Sequence, residues 1–499
     1  MRNLEEPARP VIRRATSATE VLLVNAPYPG QLRFQSQPGS LLEAVRPLSW
    51  RLLKGGRLET LGYLDPGSST KEFYAELESI ATGANLRAVC VSTSTAAIEE
   101  TARIGRLLRE LGRGDLLIVG GGPHEDGIDT PIVERVPEVD ISIRGNGELV
   151  LDALLSSFLS QNKTRASFLE GLPRLLADVC SPLCTVSISG GGCRTVGKGR
   201  PGPMDPARRP WTDQPTYFDV FPGKEVVTAM LQRGCSFGRC TFCSEGGAGY
   251  APGETSTGWI NELGCTMPEA ALYFQDSIFP STAWSRSKLL PALKESGLEW
   301  GCQLYLKTVS PSFLQLIAAA GCTYVYTGLE SASPDVLEAV GKAPQSPGEI
   351  LKRLDWVAEA GLRVGISIML GGVSTRGEVV ESHQTINSTA RLAHQIIDRG
   401  FPVTGFYPNV LTVLPGTPLA AGLKNAGFEL DFYTMPRAHV FQGLEDGEVG
   451  YNLTTIPQIA STLDPNLAGQ IRDAAAELSG LRGLVRSSEA DPAFDSPLG

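Results

Sequence analysis

Residues 226–243 read Val226-Val227-Thr228-Ala229-Met230-Leu231-Gln232-Arg233-Gly234-Cys235-Ser236-Phe237-Gly238-Arg239-Cys240-Thr241-Phe242-Cys243, a short apolar strand running straight into a loop that carries three cysteines. Three thiols within nine residues, with no fourth Cys or His close by, suit an iron–sulfur cluster that leaves one iron open for chemistry. The competing assignment is structural zinc. Zinc wants a closed tetrahedron of four protein ligands, and Cys265, the nearest spare thiol, lies more than twenty residues on.

Beyond this loop the chain alternates strand and helix signals. Apolar runs at Ala271-Leu272-Tyr273-Phe274, residues 301–306, Tyr324-Val325-Tyr326-Thr327, residues 364–370 and residues 404–411 read as further strands. Between the third and fourth, Ser310 caps a helix, Pro311 opens it, Phe313, Leu316, Ile317 and Ala320 form its apolar face, and Gly321 stops it. Six such units predict an incomplete barrel. Barrels gather their chemistry at the carboxyl ends of the strands, and the cysteine loop follows the first strand.

Upstream, Val21-Leu22-Leu23-Val24, Ala88-Val89-Cys90-Val91, Leu116-Leu117-Ile118-Val119 and Val139-Asp140-Ile141-Ser142-Ile143 read as buried parallel strands. Ile104, Leu107, Leu108 and Leu111 keep the spacing of a helix laid on a sheet, with Gly112 as its stop. The pattern predicts a doubly wound α/β domain. Ligands of such domains lie at the carboxyl ends of the strands, here Asn25-Ala26-Pro27, Ser92-Thr93-Ser94-Thr95, Gly120-Gly121-Gly122-Pro123-His124 and Arg144-Gly145-Asn146-Gly147-Glu148.

With 499 residues and 42% hydrophobic content the chain supports two or three domains. Residues 1–18 read as a tail, 19–155 as the doubly wound domain, 156–222 as a Gly- and Pro-rich connector, 223–427 as the barrel, and 428–499 as a C-terminal region. Asp464-Pro465 opens one helix there, with Leu467, Ile471, Ala474, Leu478 and Leu481 on one face, and residues 487–492 read as disordered. Arg208-Arg209 in the connector reads as a solvated face. Net charge −10 argues against a nucleic-acid or anionic-membrane partner and for a small-molecule substrate. No run approaches eighteen apolar residues, the first residues offer no signal-peptide core, and ten cysteines are expected reduced, so the cytoplasm is the expected compartment.

The cysteine run resembles the radical S-adenosylmethionine signature, with one difference. The commonest family spacing is Cys-x3-Cys-x2-Cys, whereas Gly238 and Arg239 together make this one Cys-x4-Cys-x2-Cys; Gly238 can absorb the added residue because glycine tolerates positive φ. The order of the four upstream loops is similar to the cobalamin-binding domain that precedes many such barrels, over residues 21–155. Gln275-Asp276, Gly328-Leu329-Glu330-Ser331, the 337–342 stretch ending in Lys342, Gly371-Gly372-Val373 and Pro415-Gly416-Thr417-Pro418 extend the resemblance to about residue 427. Tyr305 stands near a third-strand position where many relatives carry Arg, and Val373 replaces the usual Pro.

The resemblance implies a cobalamin-dependent radical S-adenosylmethionine enzyme. Its cofactors would be a 4Fe-4S cluster on Cys235, Cys240 and Cys243, S-adenosylmethionine and methylcobalamin. It implies that Phe242 meets the adenine and that Gln275, Asp276 and Glu330 hold amino or ribose groups, with a structural bond to the loops as the competing role for Asp276 and Glu330. Cobalamin would lie against Asn25, Pro27, Ser92, Thr93, Gly121, Gly122, Pro123, His124 and Glu148, and Tyr305 is the candidate catalytic side chain. His124 follows the third strand, not the first, and lacks the Asp of the cobalt-ligating histidine motif, so it is expected to line the cofactor or cap a helix. The implied activity is methylation of a carbon in a natural-product, antibiotic-type substrate through a 5′-deoxyadenosyl radical and methylcobalamin, with flavodoxin or ferredoxin and its reductase as electron donor. The alternative is cyclisation or rearrangement without methyl transfer. A cobalamin-binding sensor would leave the cysteines without a task.

Overall fold

The computed structural model describes residues 11–27, 61–64, 70–145, 147–160, 164–179, 184–190, 192–196, 211–212, 218–232, 234–245, 257–434, 437–438 and 448–481. Arg208, Arg209 and residues 487–492 lie outside them. The chain divides into two compact units: residues 1–217, 252–256 and 413–451 form one, and residues 218–251, 257–412 and 452–499 the other.

The first unit is built on a nine-stranded sheet. Its strands are β1 (Val11–Arg14), β2 (Val21–Asn25), β3 (Leu61–Leu64), β4 (Ala88–Ser92), β5 (Leu117–Gly121), β6 (Ile141–Gly145), β7 (Cys184–Ile188), β8 (Gly192–Val196) and β9 (Trp211–Thr212). They run in the order β8-β7-β6-β5-β4-β2-β3-β1-β9, parallel except where β7 joins β6 and β8 joins β7. Val21, Leu23, Cys90, Leu117, Val119 and Ile141 are buried with Leu154, Phe158, Phe168 and Leu172 from the helices Glu148–Ser160 and Arg165–Asp178. Such runs form strands because both faces of a parallel sheet are covered, so no polar alternation is needed. Strands β7 and β8, expected within the connector, pair antiparallel and lengthen this sheet, and β1, expected in a tail, lies beside β3. Asp140 is fully buried ahead of β6, where it accepts the Ile118 N–H at 2.9 Å and pairs with Arg109 at 3.2 Å and with Arg165.

The second unit is a partial barrel of six parallel strands in chain order: β10 (Val226–Ala229), β11 (Ala271–Phe274), β12 (Glu299–Gln303), β13 (Cys322–Glu330), β14 (Arg363–Leu370) and β15 (Val403–Val410). The third strand ends at Gln303, three residues earlier than the run 301–306 suggested. Leu304 N–H still reaches the Tyr326 carbonyl, but Leu306–Thr308 then turns, so Tyr305 stands just beyond the strand. The helix Pro311–Ala319 has its expected Ser310 cap, with Phe313, Leu314 and Ile317 buried; Leu316 is 39% exposed, so the apolar stripe runs through Leu314 and not Leu316. Helix Pro465–Gly480, capped by Asp464, packs on β15 and on helix His383–Asp398. It shields an edge strand that would otherwise offer unpaired backbone groups.

Residues 413–434 fold with the first unit, although Pro415-Gly416-Thr417-Pro418 reads in sequence as the close of the sixth barrel unit. Pro415 backbone abuts Gly127, Lys424 pairs with Asp129 at 2.8 Å, Arg135 with Asp431 at 3.1 Å, and the Tyr433 hydroxyl donates to the Thr130 carbonyl at 2.7 Å.

Candidate functional site

Within the barrel, the loop after β10 is held from three sides. Asp276, buried just past β11, accepts the backbone N–H of Leu231 at 2.9 Å and of Gln232 at 2.7 Å. Thr241 N–H donates to the Val340 carbonyl at 2.9 Å, and Cys235 N–H to the Glu245 carbonyl at 3.1 Å. Gly341, at φ +75°, lies so close to the Arg239 carbonyl that a Cβ there would strike it. Gly238 has φ +55°, as the added loop residue requires.

This framework leaves Cys235, Cys240 and Cys243 free of disulfides and half-buried. Burial pushes the Cys240 thiol up to about 12 and raises that of Cys243. Such thiols become thiolates only when a metal takes them. Cys235 and Cys243 both act electrostatically on Cys240, so the three thiols lie close together, a donor set that fits a cluster with one open iron.

Glu330 closes the carboxyl end of β13. Its φ of +66° is the one positive value at a non-glycine among the described residues, and the pairing register with β14 shifts between Gly328 and Glu330. Bulges and strained backbone of this kind re-aim side chains at functional sites. Glu330 Oε1 accepts from Lys342 Nζ at 2.8 Å, and Ser367 Oγ donates to Oε2 at 3.4 Å. Lys342 Nζ also donates to the Gly328 carbonyl at 2.6 Å and lies 5.0 Å from the Tyr305 ring centre. The Tyr305 ring stands 4.9 Å from Phe237 of the cysteine loop, and burial raises its pKa. Tyr305 also borders a small cavity of about 20 Å³ between helix Pro347–Glu359 and strands β13 and β14, on the helix side of the sheet.

Of the expected residues, Cys235, Cys240, Cys243, Glu330 and Tyr305 are brought together through these contacts. Phe242 lies within the loop, and Gln275, half-buried, is fixed by its backbone bond to Ala229. Asp276 has both oxygens on the loop backbone, the kind of structural bond weighed beside cofactor binding for it. Lys342, recognised only as the end of a pattern, carries the Glu330 contact. Its spacing of twelve residues from Glu330 gave no hint of a pair, because the two meet only after helix Pro334–Ala339 folds back. Deeper in the barrel, Tyr326 and Tyr407 rings pack 5.5 Å apart and Tyr273 and Tyr324 6.3 Å apart, an aromatic floor that single strands did not reveal.

In the first unit the strand-end loops are tied to one another. Thr93 N–H donates to the Gly121 carbonyl at 2.8 Å and His124 N–H to the Thr93 carbonyl at 3.0 Å, so Ser92, Thr93, Gly121, Gly122, Pro123 and His124 share one edge. Asn25 ends the neighbouring β2 and Pro27 follows it, and Glu148 begins the helix after β6. His124 is fully buried, its Nδ1 3.3 Å from Thr95 Oγ1 and its ring edge-on to Tyr433 at 5.1 Å. Burial lowers its pKa to about 4. His124 Nε2 and Ser94 Oγ are buried and make no hydrogen bond. Orphaned polar atoms at the carboxyl edge of a parallel sheet fit a polar ligand there.

Residues 286–386 match the family model described as the Radical SAM superfamily. An uncharacterised methyltransferase of Pyrococcus horikoshii is 24% identical over 310 residues, 59% of this chain and 62% of that protein, so the match spans less than two thirds of the relative's length. The radical S-adenosylmethionine methyltransferase TsrM from Kitasatospora setae, solved with tryptophan substrate and an S-adenosylmethionine analogue, superposes with TM-score 0.57 at 19% identity, over 80% of this chain and 74% of TsrM. The cobalamin-dependent S-adenosylmethionine radical enzyme OxsB, solved with aqua-cobalamin, gives 0.57 at 14% identity, over 89% and 66%. At these identities the likeness is one of fold. It bears out the fold class, and the family-model match over residues 286–386 agrees with the radical S-adenosylmethionine resemblance of the barrel. Among the described residues no helix is long and apolar enough to cross a membrane.

Proposed function

We propose that this chain is a cobalamin-dependent radical S-adenosylmethionine methyltransferase that methylates a carbon of a small natural-product substrate in the cytoplasm, with a flavodoxin- or ferredoxin-type electron donor. The observation that carries this reading is the braced three-cysteine loop at the carboxyl end of β10, facing Tyr305 and Lys342 through Phe237 and Gly341. When bound, a 4Fe-4S cluster and cobalamin would supply cleavage of S-adenosylmethionine and methyl carriage, which no side chain can provide.

The residues have separate tasks. Cys235, Cys240 and Cys243 hold the cluster, Glu330 receives the ammonium or ribose of S-adenosylmethionine, Gln275 supports it, and Phe242 packs on the adenine. Asp276 keeps the loop in place from beneath. In the first unit Asn25, Pro27, Ser92, Thr93, Gly121, Gly122, Pro123 and Glu148 surround cobalamin, and His124 lines it without reaching cobalt, being packed between Thr95 and Tyr433.

The test is product stoichiometry with reduced enzyme, both cofactors and candidate substrates. One 5′-deoxyadenosine and one S-adenosylhomocysteine per methylated product supports the reading. S-adenosylhomocysteine alone would indicate polar methyl transfer, and 5′-deoxyadenosine alone a cyclising or rearranging enzyme; either overturns it.

A further inference from the structure

Lys342 is 8% exposed, and its ammonium is fixed on two acceptors, the Gly328 carbonyl and Glu330 Oε1. Its chain neighbours are the residues that grip the cysteine loop. Val340 accepts the Thr241 N–H, and Gly341 abuts the Arg239 carbonyl. The ammonium thus stands one residue beyond the contact that shapes the loop, on the same side as Tyr305, whose ring meets both Lys342 and Phe237. Lys342 also lowers the pKa of Cys240, against the larger effect of burial. Among the described residues, other charged groups near the loop and Tyr305 include Arg239, whose guanidinium lies 6.0 Å from the Phe237 ring centre, Glu245, Glu330 and Arg353.

A fixed charge in a low-dielectric setting acts strongly on any neighbour that changes charge. A cluster gains one negative charge on reduction, and its potential follows nearby charge and burial. A cation held in place favours the reduced form, and its removal disfavours it. The Glu330 carboxylate acts in the opposite sense.

We propose that Lys342 is a positioning residue that sets the reduction potential of the cluster held by Cys235, Cys240 and Cys243, with Glu330 as the opposing charge that tempers it. The inference rests on the cluster reading above. It adds a role for a side chain that touches neither thiol nor substrate.

The experiment is an anaerobic redox titration of the reconstituted full chain without S-adenosylmethionine, followed by electron paramagnetic resonance of the reduced cluster, with iron and sulfide measured on each sample. At the wild-type midpoint, Lys342→Met should show the oxidised-to-reduced ratio raised about tenfold, a shift of about 59 mV to lower potential for one electron. Lys342→Arg should return it to the wild-type value. Lys342→Met with full iron content and an unchanged midpoint overturns the proposal. Should Lys342→Met not take up iron, Glu330→Gln decides: a shift of similar size to higher potential supports the role, and none overturns it. Wild-type protein that binds no iron would instead overturn the cluster reading itself.

Discussion

Asp276 Oδ1 accepts the Gln232 backbone N–H at 2.7 Å, which ties the end of the second barrel strand to the residue two places ahead of Gly234 in the cysteine loop. The same carboxylate takes Leu231 N–H. Both donors sit in the protein interior, so removing the acceptor strands them. A stranded buried donor costs about 1–3 kcal/mol. Asp276→Ala should therefore lower the barrel unit's stability by about 3 kcal/mol, roughly 6–12 °C in Tm. Calorimetry checks the first effect, and iron content after anaerobic reconstitution, expected to fall by more than half, checks the second.

Cys235→Ala, Cys240→Ala and Cys243→Ala should each abolish the visible absorbance of the reconstituted cluster, whereas Cys265→Ala should keep it. Cys265 is exposed in the helix Gly258–Thr266, on a separate element from the cysteine loop. Loss of absorbance in Cys265→Ala alone would reject the triplet as the ligand set.

Glu330→Gln should weaken S-adenosylmethionine binding about tenfold or more, since a hydrogen bond to a charged group is worth about 1.5–3 kcal/mol. Cluster and cobalamin content should stay at wild-type levels. Calorimetric titration of the loaded protein measures the first, and metal analysis the second.

His124 carries a pH dependence with a definite sign. Burial holds its folded pKa at about 4, while the unfolded imidazole titrates at its ordinary 6.5. Between those values the unfolded chain binds more protons, so stability falls as pH drops from about 6.5 to about 4. The loss should reach about 2–3 kcal/mol by pH 4.5. Denaturant unfolding at pH 7 and pH 4.5 checks it, with His124→Gln expected to remove that part of the difference. With cobalamin bound, paramagnetic resonance of the cobalt(II) form should show no nitrogen splitting that disappears in the same variant.

Much of this was legible because the informative signals were local. Cys235 to Cys243 and Gly238 lie in one loop, Ser310 and Asp464 cap helices within their own turn, and the strand-end loops of the first unit follow apolar runs that need no partner to be recognised. Other features depend on which strands pair. Glu330 meets Ser367 only because β13 pairs with β14, and Tyr326 meets Tyr407 only across the sheet face they share with β14. Leu316 kept the helical period but not the burial, since the stripe that faces the sheet turned toward Leu314. The stretch 184–196 looked like loop because Gly190, Gly191 and Gly192 interrupt it, yet β7 and β8 on either side pair antiparallel.

The return of residues 413–434 to the first unit makes that unit discontinuous in sequence, and this has a consequence during synthesis. At about 5–20 residues per second, roughly 10–40 s separate the emergence of residue 217 from that of Tyr433. Throughout that interval the face bearing His124, Gly127 and Thr130 lacks the segment that covers it in the finished protein. A ribosome-stalled fragment ending near residue 412 should therefore be digested between residues 122 and 130 far faster than the full chain.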